Sequence, residues 1–208
     1  MLVLKLCEQL CPDKIPVKIS TKLGDGADGE VFDIEGEPDK VIKFCVLYQT
    51  GSTKVEKTYK NICNTLDYIV TTPAPTYANV YSHEYMGSFT RKVAWGEQPY
   101  LIYNYTMEKL QKLTEDERRV FHSLVSHEDR GIKKNFSAAQ RKEMISGMST
   151  CLDFDAEKVM FFCDNFRNTQ ISHLDIHVRN IMKDSVGNFK LIDFDRVEID
   201  YGKQGRKS

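Results

Sequence analysis

Two short motifs constrain this chain most. His173-Leu174-Asp175-Ile176-His177-Val178-Arg179-Asn180 is followed by Leu191-Ile192-Asp193-Phe194-Asp195. Asn180 lies five residues after Asp175, and Asp193 lies eighteen after it. Between them Asp184-Ser185-Val186-Gly187-Asn188 reads as a turn, so a hairpin joins the two motifs. Two carboxylates and an amide at this spacing suit the handling of a hydroxyl and a divalent cation beside a phosphate.

A second group of residues fits the same chemistry. Gly24-Asp25-Gly26-Ala27-Asp28-Gly29-Glu30-Val31 follows the pattern G-x-G-x-x-G-x-V. A loop over a triphosphate must bring backbone N–H groups close, which larger side chains would block. A dinucleotide-binding turn is excluded, because it needs a helix after the glycines and an acid about twenty residues on. Here Glu30-Val31-Phe32-Asp33-Ile34 alternates like a strand. A polar turn over residues 35–40 and a second strand, Val41-Ile42-Lys43-Phe44, follow.

Lys43 lies inside that apolar run, placed to clamp the α- and β-phosphates of a nucleotide. Such a lysine needs a carboxylate on the next helix. Glu56 is the sole acid between Phe44 and Leu66. Val55, Tyr59, Ile62, Cys63 and Leu66 repeat at helical spacing after Gly51-Ser52, with Ser52 as the N-cap, and Glu56 falls at the edge of the stripe.

The set resembles the protein-kinase-like superfamily: glycine loop, Val-Ile-Lys, helix Glu, His-x-Asp-x-x-x-x-Asn and Asp-Phe-Asp occur in that order from Leu23 to Asp195. The resemblance implies an α+β, two-lobed fold with a β-rich N-lobe and a reduced helical C-lobe. The expected bounds are one domain over 1–208, with the N-lobe at about 1–105, the hinge at about 104–107 and the C-lobe at about 108–208. It implies that Gly24, Gly26, Gly29 and Val31 cover ATP and that Lys43 and Glu56 form a pair. Asp175 would orient and deprotonate the acceptor hydroxyl, and Asn180 and Asp193 would hold Mg²⁺, with Mn²⁺ as a substitute. Tyr100-Leu101-Ile102-Tyr103-Asn104-Tyr105 looks like the last N-lobe strand. On that reading Tyr103 is the gatekeeper, and backbone groups of Asn104, Tyr105 and Thr106 meet adenine.

The departures narrow the resemblance. Leu174 stands where regulated protein kinases carry Arg, so switching by an activation-loop phosphate is not expected. Asp175-x-His177-x-x-Asn180 looks more like aminoglycoside and choline kinases, and like some phage and bacterial kinases. Asp195 replaces the usual Gly. Thirteen residues follow Asp195, without an Ala-Pro-Glu segment. The expectation is a reduced kinase resembling effector or phage kinases, or one completed by a partner.

At 208 residues the chain can bury a sizeable core. A net charge of −1 argues against nucleic acid as partner. No window is apolar enough to span a membrane, and the first residues lack the pattern of a cleaved signal peptide. Cys7, Cys11, Cys45, Cys63, Cys151 and Cys163 are scattered, as buried reduced thiols would be, without a second pair at zinc-ligand spacing. The expected location is therefore the cytoplasm, a host's in the case of a delivered effector or phage protein.

Between the motifs, residues 1–20 read as a short helix and a strand at Val17–Ser20, and 68–88 as strand and loop. Residues 89–105 read as a hairpin turning at Gly96-Glu97-Gln98-Pro99, with helical periodicity from Thr106. Capping boxes open helices at Thr114-Glu115-Asp116-Glu117 and Ser137-Ala138-Ala139-Gln140, and another helix starts at Asp155. The charged segment 127–135 reads as a solvated loop, with a docking surface as the sharper alternative; the tail from Lys203 is basic. His173 is expected to shape the loop rather than act as a base. The expected function is ATP- and Mg²⁺-dependent transfer to a Ser or Thr hydroxyl of a protein substrate, with an activating partner protein as a further expectation. The alternatives are a small-molecule kinase and a nucleotide-binding pseudokinase acting through a partner.

Overall fold

The computed structural model describes residues 3–26, 29–48, 55–94, 96–126, 131–133, 136–166, 171–173, 175–194 and 197–199. Ser52, Leu174, Asp195, most of the 127–135 segment and the basic tail lie outside these residues. The chain is mixed α and β. It separates into two compact units, Met1–Thr71 with Asn79–Lys109, and Thr72–Ala78 with Leu110–Ser208.

Among the described residues the first unit is a five-stranded antiparallel sheet with two α-helices. Strands β1 (Ile19–Asp25), β2 (Gly29–Ile34), β3 (Glu37–Tyr48), β4 (Val80–Val93) and β5 (Gly96–Glu108) take the order β1-β2-β3-β5-β4. The period-2 alternation of strand side chains explains the layering. Phe32, Ile34, Ile42, Phe44, Val46, Met86 and Ile102 bury on one face against Val3 and Cys7 of helix α1 (Val3–Leu10). Helix α2 (Val55–Thr71) buries Val55, Ile62, Leu66 and Ile69. Its Tyr59 ring lies 5.5 Å from those of Tyr85 and Tyr103.

Two boundaries differ from the sequence expectation. The β4–β5 turn comes earlier than Gly96–Pro99, because Val93 pairs with Gly96 and Thr90 with Pro99. Among the described residues Pro99 has a strand neighbour on one side only, since the β3 ladder ends at Tyr48↔Tyr100, so a missing donor is tolerated there. At its other end β5 continues through Thr106 to Glu108 instead of turning helical. There β5 is held in register on both edges, with Lys40 opposite Glu108 and Val80 opposite Met107. Backbone pairing on two sides overrides the weak helical periodicity.

The second unit is helical with short hairpins. Helices α3 (Glu115–Leu124) and α4 (Ala138–Met148) begin with complete capping boxes at Thr114 and Ser137, and α5 (Ala156–Asn165) begins at N-cap Asp155. Strands β6 (Val125–Ser126) and β7 (Gly131–Ile132) pair, as do β8 (Ile171–His173) with β11 (Val197–Ile199) and β9 (Ile181–Lys183) with β10 (Phe189–Leu191). Phe121, Phe162 and Phe189 meet edge to face, 4.9 to 6.5 Å between ring centroids, and form the core. The segment before β4 belongs here. Leu191 bonds through its backbone to Thr76 and Ala78, and the Tyr77 hydroxyl donates to the Ile171 carbonyl at 3.2 Å.

Candidate functional site

The candidate residues divide between the units. In the first, the glycine segment is the β1–β2 hairpin. Gly24 pairs with Val31, Asp25 with Glu30, and the Gly26 N–H donates to the Gly29 carbonyl at 2.9 Å. The three glycines differ in why they are glycine. A Cβ on Gly29 would sit 2.7 Å from the Phe44 carbonyl oxygen and 3.0 Å from Lys43 Cε. A Cβ on Gly24 or Gly26 would meet nothing within 4 Å. Packing within the protein therefore explains Gly29 and leaves the other two without an internal reason.

Lys43 is half-buried on β3 between Val31 and Tyr105, its Nζ 5.6 Å from the centre of the Tyr105 ring. Glu56 is exposed in the first turn of α2. It lines an open cleft with Tyr85, Phe89, Tyr100 and Leu101. Leu101 stands opposite Leu47, four strand positions from the Lys43–Tyr105 pair. The lining of this cleft runs from the level of Leu101 to that of Tyr85, which stands opposite Tyr103.

The hinge expectation is corrected. Asn104, Tyr105 and Thr106 sit in the middle of β5, paired with Phe44, Lys43 and Ile42 on one edge and with Glu84, His83 and Ser82 on the other. Their backbone groups are engaged in the sheet and are not presented to a base. Tyr103 is fully buried and packed between the Tyr59 and Tyr105 rings. The chain leaves the sheet after Glu108, where the Glu108 and Lys109 N–H groups donate to the carbonyls of Asn79 and Asp39.

In the second unit the two motifs are bonded together. His173 is 3% exposed. Its Nε2 lies 2.9 Å from the Ile192 carbonyl oxygen, and the Asp175 N–H reaches its Nδ1 at 3.2 Å. Those partners assign the proton to Nε2 and leave Nδ1 as acceptor. Burial pushes the His173 pKa down, against weaker opposing effects from the Ile192 carbonyl, Asp193 and Asp175, so the ring is neutral. Asn180, 6% exposed, donates through Nδ2 to the Asp175 carbonyl at 3.0 Å, and its own carbonyl accepts the Ile192 N–H at 2.9 Å. His177 accepts the Arg179 N–H at 3.2 Å, and its Nε2 stands 3.9 Å from Asp175 Oδ2.

Asp193 has φ of 70°, the sole non-glycine residue with positive φ among the described residues. A side chain in that region costs roughly 1–2 kcal/mol and persists only where the surroundings hold it. Here Ile192 is bonded on both sides, to His173 and Asn180, and Phe194 is fully buried against the Tyr77 ring. The chain on either side fixes Asp193 in its left-handed conformation.

The donor set fits a hard divalent cation. Asn180 directs its Nδ2 at Asp175, which turns its amide oxygen outward as an acceptor, and Asp193 offers a carboxylate. Mg²⁺ is characteristically held by one or two such protein oxygens, with water and phosphate completing the shell. Among the described residues no group of three or more His, Cys, Asp or Glu gathers at one point, as a site for zinc or another all-protein-ligated metal would require.

Sequence reasoning missed Glu30, a carboxylate buried to 3% exposure on β2. The signal was available, since Glu30 shares its strand parity with Phe32 and Ile34, which face the core.

No family model and no curated protein matches the chain. Among solved structures it is similar to one described as "ROP18 kinase domain in complex with AMP-PNP and sucrose", at 13% identity and a TM-score of 0.45, over 88% of this chain and 52% of that one. It is also similar to the "High resolution (2.2 A) crystal structure of WbdD", at 16% identity and a TM-score of 0.36, over 87% of this chain and 33% of that one. The chain thus spans about half the length of the first and a third of the second.

Proposed function

We propose that this chain is a phosphotransferase that moves the γ-phosphate of ATP to a Ser or Thr hydroxyl of a protein, with a divalent cation as cofactor. The observation that carries the reading is the bonded arrangement of Asp175, Asn180 and the left-handed Asp193. A loop of purely structural purpose has no need to hold an acid in that conformation.

In this reading Asp175 accepts the proton of the attacking hydroxyl as the new O–P bond forms, and the bond between the γ-phosphorus and the bridging oxygen breaks, releasing ADP. Mg²⁺ bound by Asn180 and Asp193 supplies charge neutralisation on the phosphate oxygens. The open space around Gly24 and Gly26 leaves room for the phosphates over the β1–β2 hairpin, and Lys43 adds a cation.

The Asp175-x-His177-x-x-Asn180 form favours a second reading, transfer to a small hydroxylated molecule. Label from γ-labelled ATP, followed in a lysate, separates the two. Discrete labelled proteins support the first, and label confined to small molecules supports the second. Bound ATP without transfer marks an idle nucleotide-binding module or a missing activating protein.

A further inference from the structure

Glu30 follows the glycine turn directly and faces away from Lys43, since strand side chains alternate and Val31 is the residue opposite Lys43. Phe32 and Ile34, on the same face, belong to the apolar core beneath α1. A carboxylate is strongly disfavoured there unless it is paired. Glu30 is fully engaged. Oε1 accepts from Lys22 Nζ at 2.6 Å, and Oε2 accepts the Leu4 backbone N–H at 2.8 Å. Burial alone would raise its pKa, but Lys22 and the N–H groups of Leu4 and Val3 outweigh burial and hold it below the usual carboxylate range.

Glu30 and its partners lie on three elements. Lys22 is on β1, Glu30 on β2, and Val3 and Leu4 form the first turn of α1, where unpaired N–H groups and the helix dipole both favour an anion. Strand β1 is an edge strand whose side chains are largely exposed, so it has little packing of its own to fix its position. Glu30 therefore ties the loosest strand of the glycine hairpin to a helix docked on the core.

We propose that Glu30 is a positioning residue for the nucleotide and that α1 is a strap on the glycine turn acting through it. This inference rests on the ATP-binding reading of that turn. With the strap closed, the β1–β2 hairpin is held in place before ATP arrives, and binding costs less entropy. With it open, β1 moves and affinity falls, while the groups that carry out transfer are untouched.

The test uses the full chain, a fluorescent ATP analogue titrated to obtain Kd, and KM and kcat for transfer. Glu30→Gln removes the charge. Leu4→Pro removes the N–H at a first-turn position where proline is tolerated, and Leu4→Ala loses the same side chain but keeps the N–H. Lys22→Met removes the third partner from an exposed edge strand. The expected result is a rise in Kd and in KM for ATP of about three- to ten-fold in Glu30→Gln, Leu4→Pro and Lys22→Met, with kcat and Leu4→Ala changed less than about two-fold. If Glu30→Gln or Leu4→Pro fails to fold, Lys22→Met decides. Wild-type affinity in the folded variants overturns the strap and leaves the phosphotransferase reading standing. A wild-type chain that binds no ATP overturns both.

Discussion

His173 Nε2 donates to the carbonyl of Ile192 at 2.9 Å, which links the strand leading into Asp175 with the residue before Asp193. One buried neutral imidazole therefore holds the two halves of the proposed transfer site at a fixed distance, and its Nδ1 accepts from the Asp175 N–H. The ring serves this role only while it is unprotonated at Nδ1.

That requirement sets a pH dependence. His173 has a folded pKa below its ordinary value of 6.5, so the unfolded chain binds the proton first as pH falls. Its contribution to stability is complete above the unfolded pKa and is lost progressively below about pH 6.5. The melting temperature should fall between pH 7.5 and about pH 5, and His173→Gln, destabilised at neutral pH, should show a shallower fall. Parallel curves for the two proteins would remove His173 from this role.

Relief of strain at Asp193 separates stability from activity. Asp193→Gly and Asp193→Ala should both abolish transfer. Glycine occupies φ of 70° without steric cost, so Asp193→Gly should be more stable than Asp193→Ala by about 1 kcal/mol despite its larger unfolded-state entropy. Chemical denaturation measures the difference.

The glycines should divide by cause. Gly29→Ala forces a Cβ to 2.7 Å from a backbone oxygen and should destabilise by roughly 1–3 kcal/mol. Gly24→Ala and Gly26→Ala meet open space; they should melt within a few degrees of wild type and bind ATP more weakly. Equal ATP affinity in both would remove the turn from the nucleotide site.

Glu117 offers a control at a residue with no proposed part in transfer. It completes the capping box of α3 and accepts Lys183 Nζ at 2.9 and 3.0 Å, with both side chains largely buried. Glu117→Ala leaves Lys183 unpaired as well as uncapping the helix, and should cost on the order of 2–3 kcal/mol. Measured under conditions where the variant is folded, KM for ATP should be unchanged.

What was legible in the sequence was local. The capping boxes at Thr114 and Ser137, the hairpin from Glu30 to Phe44 and the turn at Asp184–Asn188 each rest on residues within a few positions of one another. The end of β5 was not legible, because Thr106 to Glu108 are strand through pairing with partners distant in sequence on both edges. The hinge was misplaced for that reason. Glu56 is the sole acid between Phe44 and Leu66 in the sequence, but its level along the sheet depends on how α2 packs, which periodicity does not encode. The burial of Glu30 is legible in its strand parity, but its partners, eight and twenty-six residues away, are not.

The most direct test of the central claim is transfer of γ-labelled phosphate from Mg-ATP by the purified chain in a cell lysate, with Asp175→Ala alongside. The account predicts label in discrete proteins with wild type and loss of nearly all of it in Asp175→Ala, whose fold and ATP affinity stay intact. Equal labelling by the two proteins, or none by a wild-type chain with and without added host or partner extract, would contradict it.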